Sequence, residues 1–255
     1  MTRFSANLGF LWTDLALPDA IRAAKVAGFD AVEFHWPYAV DAAEVRAALQ
    51  ETGLPVLGLN TRRGDVAAGE NGLAALPGRA GEARAAIDEA LAYAKAVGAG
   101  AVHVMAGRAE GAEARRTFLE NLRHACAAAG PDRIILIEPL NPWDAPGYFL
   151  SRTEQAAEII AEIGSPNLRL MFDCYHVGRT EGDVMGRLRA LFPVIGHIQF
   201  AAIPDRGAPD HGDLDFAPVF AEIAALGWQT PLGAEYKVSG ATEDSLGWLR
   251  SLARV

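Results

Sequence analysis

Short apolar runs alternate with longer amphipathic segments along this chain, about eight times. Because the runs are aliphatic or β-branched, they predict strands at 4–10, 31–36, 56–60, 101–107, 133–139, 168–173, 196–202 and 231–237. The Ala-rich segments between them often begin at Pro, Asp or Thr and end at Gly, and they predict helices at 18–28, 41–53, 79–98, 113–130, 153–164, 183–194, 215–227 and 242–253. Repeated strand–helix units of this kind favour a parallel sheet covered by helices.

Eight such units in a chain of 255 residues match the (β/α)8 barrel, an α/β fold of about 250 residues. The rival fold is an open doubly wound sheet, whose dinucleotide-binding form carries a Gly-rich turn after the first strand. The first turn here, NLGFLWTDLALPD, lacks that glycine pattern. Since no Pro/Ser-rich or charged linker interrupts the chain, we predict one TIM-barrel domain over residues 1–255.

Two connections are longer than is usual after a barrel strand. They are TRRGDVAAGENGLAALPG at 61–78 and LNPWDAPGYFLS at 140–151. Both follow carboxyl ends of strands, where barrel enzymes build their sites, so we interpret them as lids, with plain surface insertion as the alternative. Arg62 and Arg63 lie in the first of them and can serve as lid arginines, although a solvated pair is the simpler interpretation.

Polar side chains end the last four predicted strands. The run RIILIEP carries Glu138 just before its last residue, and Asp173, Gln199 and Glu235 end the next three runs or lie near their ends. Neighbouring barrel strands place these groups around one side of one mouth. Three carboxylates and an amide in an apolar setting repel one another and lose water unless a cation lies among them. Oxygen ligands favour a hard ion, so we predict one divalent metal, Mg²⁺ or Mn²⁺, held by these four residues.

Each ligand candidate has a plainer interpretation. Glu138 can be a surface or capping group, Asp173 can cap the turn in CYHVGR, and Gln199 can satisfy backbone groups. Glu235 can pair with Lys237. Four such coincidences at successive strand ends are much rarer than one, so the metal site is the preferred interpretation.

Further polar residues lie near the predicted mouth. His176 can hydrogen-bond a substrate carbonyl, Arg206 can bind a carboxylate or hydroxyls, and Lys237 can hold the same anion. A turn histidine, a solvated loop arginine and a buried ion pair are the respective alternatives. The polar residues of the first four strands complete the candidates: Asn7, Glu33, His35, Asn60 and His103.

Composition limits the class of protein. Apolar residues make up 51% and charged residues 22% of the chain, which is ordinary for a globular protein. With 23 basic and 32 acidic residues the net charge is −9, which disfavours binding to nucleic acid or to anionic membranes. Cys126 and Cys174 have no CxxC spacing, and no signal peptide or membrane span is evident. We therefore expect a cytoplasmic protein with a small-molecule partner. The sequence is also compatible with a homo-oligomer.

Several motifs together resemble the hydroxypyruvate isomerase family within the xylose isomerase-like barrels. They occur in order between about residues 4 and 237, and they are SANL, GFDAVEF, GDVAAGENGLAALPGR, HVMAG, LIEPLN, FDCYHV, GHIQFAAIPDR and GAEYK. The resemblance implies one metal held by Glu138, Asp173, Gln199 and Glu235, with the two glutamates also transferring protons. It further implies that His176 and Arg206 contact the substrate.

Two positions refine the resemblance. Gln199 stands where related ketose 3-epimerases typically carry a histidine, which favours the isomerase branch. The stretch LNTRRGD departs from the apolar-Pro-Gly stretch that is more usual in hydroxypyruvate isomerases, so its two arginines could select a longer or more anionic hydroxy-oxo acid.

We expect an isomerase that interconverts hydroxypyruvate and tartronate semialdehyde (2-hydroxy-3-oxopropanoate) through an enediolate. The metal would chelate the carbonyl and adjacent hydroxyl oxygens. One alternative is an isomerase or 3-epimerase of a longer ketose or 2-oxo sugar acid, such as 2-oxotetronate. A zinc-dependent endonuclease on this barrel would need many histidine ligands and a basic surface, whereas the chain has six histidines. The last alternative is a non-catalytic module that binds metal or sugar, against which the paired glutamates argue.

Overall fold

The computed structural model describes residues 2–252. The strands are β1 (Phe4–Asn7), β2 (Ala31–Glu33), β3 (Gly58–Asn60), β4 (Ala101–His103), β5 (Ile134–Ile137), β6 (Leu168–Asp173), β7 (Ile195–Phe200) and β8 (Leu232–Ala234). The helices are α1 (Leu17–Ala27), α2 (Ala42–Thr52), α3 (Ala80–Val97), α4 (Gly111–Ala129), α5 (Thr153–Ile163), α6 (Cys174–Thr180), α7 (Val184–Leu191), α8 (Phe216–Ala225) and α9 (Gly247–Leu252). Short 3₁₀ turns occupy Pro37–Ala39, Phe192–Val194 and Thr242–Ser245. No helix among these described residues is long and apolar enough to cross a membrane.

The eight strands form a nearly closed parallel barrel. Their order is β2-β1-β8-β7-β6-β5-β4-β3. A parallel bridge between Val32 and Val56 joins the two ends of this order. At this seam the Val32 N–H donates to the Pro55 carbonyl at 3.0 Å and the Leu57 N–H donates to the Val32 carbonyl at 2.9 Å. The prediction of a (β/α)8 barrel is confirmed.

Some element boundaries differ from the prediction. The apolar run at 101–107 extends beyond β4, which ends at His103. The Val104 N–H still donates to Leu136 of β5 at 2.9 Å, but from residue 105 onward the backbone carbonyls accept from the two long connections. The predicted helix at 183–194 stops at Leu191 and ends in a 3₁₀ turn. The last predicted helix, 242–253, is a 3₁₀ turn followed by α9, and its residue 253 lies outside the described residues. Helix α6 was missed because it follows β6 with no connecting residue.

The two long connections are anchored to the backbone that follows β4. Gly72 forms an antiparallel bridge with Ala106, and Tyr148 forms one with Arg108. A Cβ added to Gly107 would lie 2.2 Å from the carbonyl oxygen of Gly72, so this close approach of two backbones requires glycine. Both connections therefore lie beside the carboxyl end of β4.

Side chains alternate across each strand, and this alternation builds layers inside the barrel. The residues at or just beyond the strand ends include His103, Glu138, Asp173, Gln199 and Glu235. Two residues earlier along the same strands lie Ala101, Leu136, Met171, His197 and Gly233. Among these, Ala101, Leu136 and Met171 form a small buried apolar cluster of their own. A larger aromatic cluster fixes β1 and β7 against the outer helices, and its rings are Phe4, Phe200, Phe216, Phe220 and Trp248.

Candidate active site at the barrel mouth

Four polar side chains predicted from the strand ends are buried at the carboxyl end of the barrel. Glu138 follows β5, Asp173 ends β6, Gln199 lies near the end of β7, and Glu235 follows β8. Asp173 and Gln199 are register partners in adjacent strands. None of the four is more than 6% exposed. The parallel register of β5 to β8 thus places them on one side of the mouth.

Three oxygen atoms in this group are free to bind a cation. Glu138 Oε1, Asp173 Oδ2 and Gln199 Oε1 are buried, and none has a hydrogen-bond partner within residues 2–252. Ligand atoms of Glu138, Asp173 and His176 also lie within 4.8 Å of one another. Buried oxygens without partners are costly unless something satisfies them. The side chains at this place therefore fit a hard divalent metal, whose identity the donor set does not select between Mg²⁺ and Mn²⁺.

Asp173 uses its two oxygens differently. The Tyr175 N–H donates to Oδ1 at 2.8 Å, which makes Asp173 the N-cap of α6. Oδ2 has no such partner. Both sequence interpretations of this residue are compatible with the structure, because the capping oxygen is not the one left free for a cation.

His176 presents a hydrogen-bond donor toward the carboxylates. Its Nδ1 accepts the Asn141 backbone N–H at 3.0 Å. A neutral ring that accepts at Nδ1 carries its proton on Nε2. Nε2 lies 3.7 Å from Asp173 Oδ2 and 3.9 Å from Glu138 Oε1, which is too long for a hydrogen bond. This tautomer suits a donor to a bound oxygen better than a metal ligand.

Glu235 is held by three nitrogen donors. Its Oε2 accepts from Arg206 Nη2 at 2.7 Å, while Oε1 accepts from Asn7 Nδ2 at 3.0 Å and lies 2.7 Å from His35 Nε2. The Arg206 guanidinium lies over the Phe10 ring at 4.7 Å. Glu235 is therefore fixed in position by contacts on both of its oxygens.

The electrostatics of the group reflect deep burial. Burial, with Glu235 and Asp173 nearby, raises the pKa of Glu138 well above its usual range. Burial and the charge of Glu235 also raise the pKa of Asp173 to about 7. Burial acts to raise the pKa of Glu235, but Arg206 and His35 outweigh it and the pKa is about 2. A cation that binds beside Glu138 and Asp173 would compete with protons.

Burial favours the neutral form of two histidines of the site, His176 and His103. Burial, reinforced by the charge of Arg206, lowers the pKa of His176 to about 3. Burial lowers the pKa of His103 to about 4. His103 Nδ1 lies 3.3 Å from Asn60 Oδ1 and 3.6 Å from Glu138 Oε2. His103 thus borders the carboxylate group as an uncharged side chain.

A second buried carboxylate lies next to the site. Glu33 Oε2 accepts from Gln199 Nε2 at 2.7 Å and lies 3.0 Å from His197 Nε2. Glu33 is among the candidates from the sequence, without an assigned role, whereas His197 is not among them. The available signal was the two-residue spacing of His197 and Gln199, which places both on the inner face of β7.

The remaining sequence candidates lie in different surroundings. Asn7 contacts Glu235 directly. Lys237 is exposed, and its backbone N–H donates to the Arg206 carbonyl at 2.7 Å. Strand β8 ends at Ala234, so the alternation that would have placed Lys237 beside Glu235 stops before it. Arg62 is bound at the surface through two nitrogens to Glu89, at 2.6 and 2.9 Å.

Comparisons with known proteins agree with this architecture. The model of the family described as "Xylose isomerase-like TIM barrel" matches residues 21–252. The chain is 45% identical to the 2-oxo-tetronate isomerase of Cupriavidus necator over 98% of each protein. It is 35% identical to the hydroxypyruvate isomerase of Escherichia coli, again over 98% of each.

A solved structure has the same fold. A structure described as AP endonuclease, family 2, from Brucella melitensis superposes with a TM-score of 0.95 at 35% identity, covering 98% of this chain and 99% of that one. The family match extends over most of the chain, and the two relatives named from the sequence comparison are isomerases. The chain therefore belongs to the hydroxypyruvate isomerase family of xylose isomerase-like TIM barrels, and it is an isomerase.

Proposed function

We propose that this isomerase interconverts hydroxypyruvate and tartronate semialdehyde with one bound divalent metal. The observation that carries the proposal is the set of three buried, unpartnered oxygens of Glu138, Asp173 and Gln199 beside the fixed carboxylate of Glu235. The name of the 35% identical relative from E. coli supports the reaction.

The metal would be held by Glu138, Asp173, Gln199 and Glu235. When bound, it would polarise the carbonyl and hydroxyl oxygens of the substrate and so acidify the C–H between them. Glu138 follows β5 and Glu235 follows β8, with two strands between them. They transfer the proton from one carbon to its neighbour, while the hydroxyl proton passes to the former carbonyl oxygen. The rigid strands hold both carboxylates in place, which proton transfer requires.

The other side chains bind and orient the substrate. His176 donates from Nε2 to a substrate oxygen, because its Nδ1 is already occupied by Asn141. Arg206 lies against Glu235 and is only 12% exposed, so it can contact a substrate oxygen while it holds that carboxylate. His103 and Asn7 complete the wall. Lys237 remains a candidate contact at the rim.

Exchange of substrate protons with solvent tests this proposal. Purified protein is incubated with hydroxypyruvate in deuterated water, with and without Mg²⁺ or Mn²⁺, and deuterium incorporation and tartronate semialdehyde are measured. We expect metal-dependent exchange, and turnover lower by about 10² or more in Glu138→Gln and in Glu235→Gln. Glu222→Gln, which removes a charge at the outer surface, is the matched control. Exchange without added or bound metal, or normal rates in both site variants, would refute the mechanism.

A longer 2-oxo acid, such as 2-oxotetronate, is a second candidate substrate. The guanidinium of Arg63 lies over the Trp36 ring at 4.5 Å, and its buried Nε has no hydrogen-bond partner within residues 2–252. Trp36 in turn contacts His35, with ring centroids 4.9 Å apart. Arg63 therefore lies near the mouth with a donor available for a substrate carboxylate. The name of the 45% identical relative also favours this candidate.

The neighbouring arginine provides the control for this second candidate. Arg63→Met and Arg62→Met are compared on three-carbon and four-carbon 2-oxo acids. If the longer acid is the substrate, wild-type kcat/KM is higher for it, and Arg63→Met lowers that value while Arg62→Met does not. Equal values for the two acids, unaffected by Arg63→Met, would leave hydroxypyruvate as the assignment.

The net charge of −9 and the oxygen-rich donor set do not favour an endonuclease, although a structural relative carries that description.

Cys126 and Cys174 are both free and buried, which supports a cytoplasmic location.

A further inference from the structure

Glu33 is a buried carboxylate that contacts the site through a single residue. It is 4% exposed and lies at the end of β2, the strand that meets β3 at the seam of the barrel. Its Oε2 accepts from Gln199 Nε2 at 2.7 Å and lies 3.0 Å from His197 Nε2. Its partners are thus two side chains of β7, of which Gln199 belongs to the proposed metal site.

This contact determines which end of the Gln199 amide faces the site. A glutamine side chain has a donor end and an acceptor end of nearly equal shape, and it can present either one. Here the NH₂ end of Gln199 donates to Glu33 Oε2, so that end faces Glu33. The oxygen end, Oε1, then points away from Glu33 and is left without a partner. Without Glu33 the amide could rotate and present its NH₂, which cannot bind a cation.

The barrel provides the space for this arrangement at Gly233. A Cβ added to Gly233 would lie 2.6 Å from Glu33 Oε1 and 2.8 Å from Gln199 Cγ. Both distances are well below ordinary van der Waals contact, so any larger residue would displace one side chain or the other. The absence of a side chain on β8 is therefore part of the geometry that brings Glu33 to Gln199.

We propose that Glu33 is a positioning residue, which raises the affinity of the site for a divalent cation by holding the amide of Gln199 with its oxygen toward Glu138 and Asp173. This inference rests on the metal site of the proposed function. It assigns to β2 a contribution to the metal site that lies outside the four ligands.

Calorimetric titration of the metal-free protein with Mn²⁺ measures the affinity of the site directly, without an activity assay. Glu33→Leu is expected to weaken Mn²⁺ binding by about 10- to 100-fold, as does loss of other groups that orient metal ligands. Gln199→Ala should weaken it as well. The double variant should bind no more weakly than Gln199→Ala alone, because Glu33 acts only through Gln199.

Glu33→Gln separates orientation from charge. Its amide oxygen can replace Oε2 and accept the same two bonds, so Mn²⁺ affinity should stay within a few-fold of the wild type. Asn121→Leu is the control for loss of a buried polar group, since Asn121 is fully buried in α4 and donates to the Ala74 carbonyl at 2.8 Å, and it should leave Mn²⁺ affinity unchanged.

Several outcomes would overturn the inference. If Glu33→Gln weakens Mn²⁺ binding as much as Glu33→Leu does, the charge of Glu33 determines the affinity, and the orientation of the Gln199 amide does not. If Glu33→Leu weakens binding further in the Gln199→Ala background, Glu33 acts independently of Gln199. Wild-type affinity in Glu33→Leu would also refute it. If Glu33→Leu does not fold, weak binding in Glu33→Gln or normal binding in Gln199→Ala would still refute the inference. Failure of the wild type to bind Mn²⁺ would instead refute the proposed metal site itself, and this inference with it.

Discussion

Replacement of Gly233 by alanine tests the packing around the site without removing any polar group. The new Cβ would lie 2.6 Å from Glu33 Oε1, 2.8 Å from Gln199 Cγ and 2.9 Å from Glu33 Oε2. Each distance is at least 0.5 Å shorter than the roughly 3.4 Å at which ordinary carbon contacts begin. All three contacts are buried inside the barrel, so the side chains cannot move into solvent. One of the two must rotate, and the hydrogen bond between them is lost.

The expected cost follows from overpacking. Extra methyl groups in a well-packed core typically cost 1–3 kcal/mol, and loss of a hydrogen bond to a charged group adds about 1.5–3 kcal/mol. Partial relaxation makes the two terms overlap, so we expect Gly233→Ala to lower the free energy of unfolding by about 2–4 kcal/mol. Mn²⁺ affinity should fall as well, because the amide of Gln199 is no longer held.

Gly58→Ala is the matched control. Gly58 also lies in a barrel strand, but a Cβ there would lie 3.5 Å from the Ala101 carbonyl oxygen and 3.6 Å from its Cβ, which are ordinary contacts. This variant should change stability by less than about 1 kcal/mol, since alanine also restricts the unfolded chain. Urea denaturation and Mn²⁺ calorimetry measure both variants. Equal stability and equal Mn²⁺ affinity in the two would refute the assigned packing of Glu33 against Gln199.

Three further results are expected. Phe200→Ala should lower the free energy of unfolding by about 3–5 kcal/mol in denaturant titrations, because Phe200 is fully buried among four other aromatic rings; a cost below 1 kcal/mol would contradict this. Mg²⁺ or Mn²⁺ at 100 times its Kd should stabilise the fold by about 2.7 kcal/mol and raise Tm by about 5–10 °C in calorimetric scans, reversibly with a chelator, and an unchanged Tm would argue against the site. Hydrogen bonds that His211 donates to Asp205 and Asp210 raise the pKa of His211, so this stabilising contact is complete below about pH 6.5 and is lost as the pH rises through the raised value. An NMR titration should show that Asp205→Asn lowers this pKa, and an unchanged pKa would refute the assignment.

Much of the fold could be predicted because the pattern repeats. Each apolar run lies between helices with recognisable ends, and eight repeats leave few architectures to choose from. Boundaries were harder, since the run after β4 stays apolar while its backbone pairs with loops that come much earlier and later in the chain. The sequence pattern did not predict helix α6, because β6 ends at Asp173 and α6 begins at the next residue, without a turn to separate them.

The candidate site, like the fold, could be predicted only in part. Successive strand ends predicted the group of Glu138, Asp173, Gln199 and Glu235, because parallel strands align their carboxyl ends. The sequence could not predict that Glu235 bonds to Arg206 and His35 and not to Lys237. Those partners come from distant segments, and β8 ends too early for its alternation to reach Lys237.

The two oxygens of Asp173 connect the proposed metal site to the secondary structure. Oδ1 begins α6 and Oδ2 faces the site, while α6 carries His176 three residues later. A change in charge on this single side chain therefore reaches the helix that presents the substrate contact. If a cation binds Oδ2 as proposed, occupancy of that site and the order of α6 are coupled through this one carboxylate, and Asp173→Ala should weaken both at once.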